Sequence, residues 1–582
     1  MWPFTTAYPQ HALHALRAQY DYIVMGGGNA GCVLARRLSE DGQSTVLLVE
    51  RGDAADSFLH STPLLSIHQI SDGRHSDILQ STDNTSLGRP VSLVCGKGLG
   101  GATRINGDQY TCGVPAEYNA WSRHGRVGWS YEEIKPYFKK SERWTGPVPQ
   151  EYHGLDGPLQ VRSFQEWNYE SSRRAAEAAR QIGFSDIIDM HSPFEPSIGF
   201  NKIQYTLDAA GTRQSSFRAY LPRSYVEAHK NLHVCTNVLA HKLEFSESDA
   251  GAIRAEGVML QGIMGGQKRV ITARKEIVLA CGALHTPQLL MLSGVGPKDH
   301  LREQGIRVVK DLPGVGQYLQ DHVIVQTKYA CPLFDSLWAM VRRPLTLLWE
   351  IYSYVWRGTG WFLCTLAEVE IFGLSSLIDK EGKSSALTEE QLNPYNPDNL
   401  PDFAVFLAPI ADPESAKMDK SKGCIGLNAA LLVAKSKGSI RLSSSDPAAP
   451  PIYDMQYLTE PEDWAALRAA LRVTVALAHS MRASGYPIDG LVVPDVSSDA
   501  ALDKFIRAGA DTMFHYTGSC RMAPEEDAHP GVVDDALRVH GIAGLRVADA
   551  SVLPCTPATH PQALVYAIAE KCADMVRGDG AL

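Results

Sequence analysis

The residues most ready to do chemistry lie in the stretch 21–52, DYIVMGGGNAGCVLARRLSEDGQSTVLLVERG. Gly26, Gly28 and Gly31 give G-x-G-x-x-G, and Glu50 follows about 20 residues on. That spacing suits an ADP-containing dinucleotide. The glycines supply a tight turn, room for backbone beside a pyrophosphate, and close contact between helix and strand. The helix that follows offers free N–H groups and a positive dipole end to the phosphates. A carboxylate at the position of Glu50 accepts hydrogen bonds from ribose hydroxyls. Asn29 and Ala30, inside the loop, and Arg51, beside Glu50, belong to the same candidate set. The motif does not separate FAD from NAD.

Glycines in this pattern are common, and their meaning depends on the elements that carry them. Here 22–25 is a short apolar run suited to a buried parallel strand. The next segment places Val33, Leu34 and Leu38 on one side and Arg36, Arg37 and Glu40 on the other, as a helix does. A second apolar run, 45–49, ends at Glu50. Strand, glycines, helix, strand and terminal Glu therefore stand in order. A second glycine-dense stretch spans 94–106, where backbone must approach something closely. Residues 268–280 read as a strand pair that runs into Cys281, Gly282 and a short helix, a second strand–helix unit for the same sheet. Residues 544–550 form another apolar strand, ending near Asp549, and 561–576 a terminal helix. The nucleotide domain is thus expected to draw on the beginning, middle and end of the chain. Between these parts, 54–89 reads as a long connection and 312–322 as a loop. Strands at 403–408 and 427–434 and a helix at 460–479 point to a second, mixed sheet with flanking helices.

A chain of 582 residues exceeds one ordinary core, so two domains are expected. The net charge of −10 gives no reason to expect nucleic acid. There are 19 histidines and 11 cysteines, but neither H-E-x-x-H nor paired C-x-x-C spacing, so no metal site is expected. The N-terminus lacks a basic region followed by an apolar one, and the cysteines do not form a disulfide framework; both favour the cytosol. No run is apolar and long enough for a spanning helix. The segment 333–363 is rich in Trp, Tyr and Leu. It reads first as a buried helix pair, with two other readings open: an aromatic wall over an apolar substrate, and contact with a membrane surface.

Taken together, the motifs resemble the glucose–methanol–choline (GMC) oxidoreductases along nearly the whole chain. The resemblance rests on GGGNAG with Glu50, GKGLGGATRIN, GALHTPQLLMLSGVG at 282–296, LPGVGQYLQDH, SKGSIRLSSSDPAAPPI, HYTGSCRM, GLRVADASVLP and THPQALVYAIAEK. It implies FAD, and a mixed α/β architecture. A Rossmann-like FAD-binding domain would take 18–150, 231–330 and 532–582, and a substrate domain with a mixed or antiparallel sheet 151–230 and 331–531. It implies His515 as catalytic base and His560 as its partner. It places Leu99, Gly100, Thr103, Asn106, Ala240, Asp549, Ala550, Pro561 and Gln562 at the cofactor. Two departures stand out. Ala102 and Thr103 occupy positions where the family carries two small hydroxyl residues, and Ile105 stands where some members carry a flavin-linking His, so the FAD is expected to be non-covalent.

The chemistry suits the pair. Oxidising an alcohol removes the hydroxyl proton while hydride leaves carbon for flavin N5, and a neutral imidazole takes that proton at working pH. A second His holds the oxygen. The expected function is oxidation of an apolar or aromatic alcohol, with oxygen or another electron acceptor completing the cycle. The alternative is a lyase or isomerase that retains FAD without net redox. Ala367 and Phe406, near the Cys and Arg positions of the photodecarboxylases, speak against that third activity. Cys364, Cys520 and Cys555 read as packing. Oligomeric state is not legible.

Overall fold

A computed structural model describes residues 7–147, 150–363, 367–413 and 418–578. Its organising element is an eight-stranded sheet. Gln19–Met25 lies at the centre, paired in parallel with Val46–Val49 on one side and with Arg269–Leu279 on the other. Leu232–Cys235 extends the first side, and Leu545–Val547 pairs in parallel with Arg269–Leu279. The apolar runs form these strands because both faces are covered, so alternation is not required. Arg269–Leu279 is one continuous strand, not the pair expected from 268–280. Its first half alternates between buried and more exposed residues and meets the antiparallel Ile253–Gly262, and its buried end enters the parallel core.

Register brings Met25, Val49, Cys235, Leu279 and Val547 to the same edge. The segments that follow them therefore emerge together at the carboxyl ends of the strands, where open α/β sheets bind ligands. Helix Asn29–Ser39 covers one face and packs against the C-terminal helix Gln562–Arg577.

The second sheet has seven strands and is antiparallel throughout. Its centre is Val323–Pro332, Lys422–Leu431 and Phe403–Ala408, with Val369–Gly373 and Gly199–Lys202 beyond. Helix Pro461–Ala483 packs on one face. Val323–Pro332 belongs wholly to this sheet, so the domain boundary expected between 330 and 331 falls inside a strand. The change of sheet comes before Val323 instead.

Two other expectations change. The connection 54–89 contains Ser76–Gln80, which forms a hairpin with Ser92–Gly96. The helices of 333–363 are not a buried pair: Leu345 is 80% exposed and Trp356 70%. Among the described residues no helix is long and apolar enough to cross a membrane.

Candidate active site

The first glycine loop is shaped by contact. Helix Asn29–Ser39 starts so close to the first strand that a Cβ on Gly31 would lie 1.8 Å from the Gly26 carbonyl oxygen. The second glycine loop sits on the first. Gly100 N–H donates to the Gly27 carbonyl at 2.7 Å, and a Cβ on Gly101 would lie 2.8 Å from Gly28 Cα. Leu99 is buried beside Gly27.

Glu50 ties the loops together. Its carboxylate accepts from the N–H groups of Gly27 at 2.7 Å, Gly52 at 2.7 Å and Gly98 at 3.0 Å. Two carboxylate oxygens offer about four acceptor sites, so capacity for a hydroxyl remains. Arg51 turns to Asp77 and forms an ion pair with it. Ala240 lies two residues beyond Val238, whose N–H donates to the Glu50 carbonyl at 3.2 Å.

Residues from three distant segments then meet. Asn29 Nδ2 donates to the Gln562 carbonyl at 3.2 Å, and Asn106 Nδ2 donates to Gln562 Oε1. The N-termini of Asn29–Ser39 and Gln562–Arg577 are thereby joined, with Ala30 buried behind and Pro561 capping the second helix. Both ends present unpaired N–H groups and positive dipole ends. Asn29 Oδ1 is buried and unpartnered. These features fit a dianionic pyrophosphate group with hydroxyl-bearing arms.

Thr103 and Asp549 work inside the protein. The Thr103 hydroxyl donates to the Gly100 carbonyl at 2.6 Å and accepts from Ser216 N–H at 2.9 Å. The Asp549 carboxylate accepts from Gly282 N–H at 2.9 Å, the Thr286 hydroxyl at 2.6 Å and Ser551 N–H at 2.8 Å. Burial pushes its pKa above the usual carboxylate range. Asp549 thus joins the strand end to helix Gly282–Leu292 and to the turn Ala550–Val552.

The two candidate histidines are neighbours. The His515 and His560 rings lie 5.1 Å apart and nearly perpendicular. His560 stands two residues before Gln562, so the pair adjoins the convergence just described. Burial, then the fields of His322 and His560, hold His515 well below the usual imidazole value. It is therefore neutral at working pH.

Four residues outside the expected site shape it. His322 Nε2 is 2.9 Å from the Pro557 carbonyl, and His322 Nδ1 is 2.9 Å from His515 Nδ1. A carbonyl only accepts, so His322 Nε2 carries the proton. Burial first, then His560, pushes His322 down to about 3, so its ring is neutral and Nδ1 is an acceptor. His515 Nδ1 must then donate, which leaves His515 Nε2 with a bare lone pair. Asp321, the preceding residue, accepts from His515 N–H at 2.7 Å and from the Tyr457 hydroxyl at 2.6 Å; burial pushes it up to about 6. Phe514, directly before His515 in the chain, adopts φ +62, a conformation costly for an aromatic residue.

Glu370 is the third. Its Oε1 lies 3.0 Å from His560 Nε2, and its Oε2 is buried without a partner. Arg213 is the fourth. It pairs with Asp108 at 2.8 Å, both fully buried, and donates to Asn106 Oδ1 at 2.7 Å and to the Asn106 carbonyl at 2.6 Å. Asp321 and His322 lie in LPGVGQYLQDH and Arg213 in GTRQSSFRAY, so the sequence contained them but not their partners. Glu370 had no motif around it. Cys520 is buried and Cys555 half-buried; Cys364 lies outside the described residues.

Comparison with known proteins agrees with this geometry. The chain matches the family described as GMC oxidoreductase over residues 20–324 and again, for its C-terminal region, over 434–569. It is 33% identical over 566 residues to oxygen-dependent choline dehydrogenase 1 of Chromohalobacter salexigens, covering 96% of this chain and 95% of that one. It is 34% identical over 572 residues to an oxygen-dependent choline dehydrogenase of Burkholderia thailandensis, covering 96% and 94%. Among solved structures, the formate oxidase of Aspergillus oryzae, in a variant examined for FAD modification, superposes with a TM-score of 0.85 at 25% identity, covering 97% and 98%. Pyridoxine 4-oxidase of Mesorbium loti gives 0.80 at 26% identity, covering 97% and 100%. The chain belongs to the GMC oxidoreductase family, and it is an FAD-dependent enzyme acting on CH–OH donors.

Proposed function

We propose that the protein oxidises an apolar or aromatic alcohol to its carbonyl compound, with His515 Nε2 accepting the hydroxyl proton. The observation that carries this reading is the chain from the Pro557 carbonyl through His322 to His515 Nδ1, which leaves the base in its reactive tautomer. When bound, the FAD supplies the hydride acceptor. The protein's own groups do the rest. His515 removes the proton as hydride departs, which relieves positive charge developing on the carbinol carbon. His560, set across from it and tied to Glu370, positions the alcohol oxygen.

The aromatic reading of the substrate is supported by the rings on the sheet face that carries Glu370. Cross-strand partners share a face, and Glu370 stands opposite Phe406, while Phe372 stands opposite Ala404 and Ala404 opposite Ala430. The row through Glu370 also carries Asn201 and Asn428, so the wall beside His560 is mixed: polar along that row, apolar along Phe372, Ala404 and Ala430, with an aromatic ring directly across from the carboxylate. We assign the cofactor to 18–150, 231–322 and 532–582, and the substrate wall to 151–230 and 323–531. FAD is held without a covalent bond, since Ile105 offers no linking atom.

The test is anaerobic reduction of the flavin across classes of alcohol. Apolar and aromatic alcohols should bleach the flavin. His515→Ala should lose about 10²–10⁴-fold in that rate while retaining FAD. Reduction at the wild-type rate would sink the base assignment, and substrate turnover without bleaching would mean a lyase or isomerase. Acid precipitation should release the flavin into the supernatant; yellow pellets would mean a covalent bond.

A further inference from the structure

Helix Pro344–Tyr352 and its continuation Ser353–Arg357 are inside out. On a helix of a water-facing surface the apolar stripe turns inward and the polar face outward. Here Leu345 is 80% exposed, Leu348 61%, Trp349 54%, Tyr352 46%, Val355 50% and Trp356 70%. The residues turned inward are polar: Glu350 is 8% exposed and Ser353 4%. Glu350 holds the helix down by accepting from Trp361 N–H at 2.8 Å. A contiguous apolar face of this kind marks a surface that is covered in use.

The charges around the face say what covers it. Arg342 and Arg343 precede the helix and Arg357 ends it. Arg342 donates to the carbonyls of Lys420 at 3.2 Å and Lys422 at 2.6 Å, which brings the exposed Lys420 and Asp419 alongside and leaves Arg343 and Arg357 as the uncompensated charges of the rim. Glu350 is the only acidic residue in 338–363, and it is buried. This basic rim stands out on a chain of net charge −10. A second copy seated here through a two-fold axis would set arginine against arginine with no exposed carboxylate on the helix between them. Trp349, Tyr352 and Trp356 form a ladder with ring centroids 5.7 and 5.6 Å apart. Trp and Tyr favour the boundary between headgroups and acyl chains, and flanking Arg favours anionic lipid.

We propose that this helix docks the enzyme on an anionic membrane surface, lying in the plane of the headgroups with its Leu and Trp side chains below them and Arg343 and Arg357 on lipid phosphates. The FAD-loaded enzyme should co-sediment with vesicles of phosphatidylcholine containing one-quarter phosphatidylglycerol, and less with pure phosphatidylcholine. Trp349→Ser with Trp356→Ser should reduce binding to the anionic vesicles at least tenfold, with flavin content and alcohol oxidation in detergent-free buffer unchanged. Arg343→Glu with Arg357→Glu should abolish the preference for the anionic vesicles. Absence of binding by the wild type, or binding that the tryptophan variant retains, overturns the proposal. So does a dimer of the wild type in solution that the same tryptophan variant dissociates, since the face would then be a contact between copies.

Discussion

His322 Nδ1 lies 2.9 Å from His515 Nδ1, and the other nitrogen of His322 lies 2.9 Å from a backbone carbonyl. The carbonyl fixes the tautomer of the first ring, and the first ring fixes that of the second. His322→Ala should therefore lower the rate of flavin reduction about 10- to 100-fold, less than His515→Ala, because His515 remains but loses its fixed orientation. The pH profile should move as well. Burial is the largest cause of the depressed His515 ionisation, and truncating His322 lets water reach the ring, so the acid limb of the rate profile should shift upward. His322→Gln should restore part of the rate, since its amide oxygen can accept from His515 Nδ1. An unchanged rate and an unchanged profile would remove His322 from the positioning chain.

Glu370 should act through His560. Glu370→Gln keeps a hydrogen bond to His560 Nε2 but replaces the carboxyl group, one oxygen of which is buried without a partner, with a neutral amide. We expect slower flavin reduction, by roughly tenfold, together with equal or higher thermal stability, because a neutral amide costs less to bury than a carboxylate. Loss of both rate and stability would mean that Glu370 serves the fold and not His560.

The buried pair Arg213–Asp108 should couple folding to cofactor retention. Both side chains are fully buried, and burial pushes Asp108 up to about 7 against the pull of Arg213. Arg213→Met leaves a buried carboxylate without its partner, a loss of about 3–5 kcal/mol. It also frees Asn106, which Arg213 holds by two hydrogen bonds. FAD content after gel filtration should fall along with the urea midpoint. Arg213→Met combined with Asp108→Leu should recover stability but not FAD content. If the double variant binds FAD normally, Asn106 does not need the guanidinium.

His153 should set an alkaline limit. Burial alone would lower its imidazole, but hydrogen bonds to Asp189 and Glu142 outweigh burial and raise it to about 9. His191, which faces the same carboxylates, is itself lowered by burial. A raised ionisation means the folded protein binds the proton more tightly than the unfolded chain. The stabilisation is complete below 6.5, the unfolded value, and is lost as pH rises through about 9. At about 1.4 kcal/mol per unit, the loss is on the order of 3 kcal/mol. The difference in urea midpoint between wild type and His153→Gln should narrow across that window. A constant difference would mean that His153 is neutral in the folded state.

The sequence carried the parts of the site whose chemistry is local. A glycine loop between a strand and a helix binds phosphate through its own backbone, so Gly26, Gly28, Gly31 and Glu50 were legible by spacing. Buried parallel strands were legible as unbroken apolar runs, and Gln19–Met25, Arg269–Leu279 and Leu545–Val547, from the beginning, middle and end of the chain, stand in one sheet. Nothing in one dimension states which side chains touch across hundreds of residues. The contacts of His322 with His515, Glu370 with His560, and Arg213 with Asp108 span 193, 190 and 105 positions, and each joins segments that only the folded sheets bring together. The same limit explains 333–363. Hydrophobicity predicts burial only when a core is within reach, and the tertiary structure turns this helix so that its one carboxylate faces the protein and its tryptophans face out.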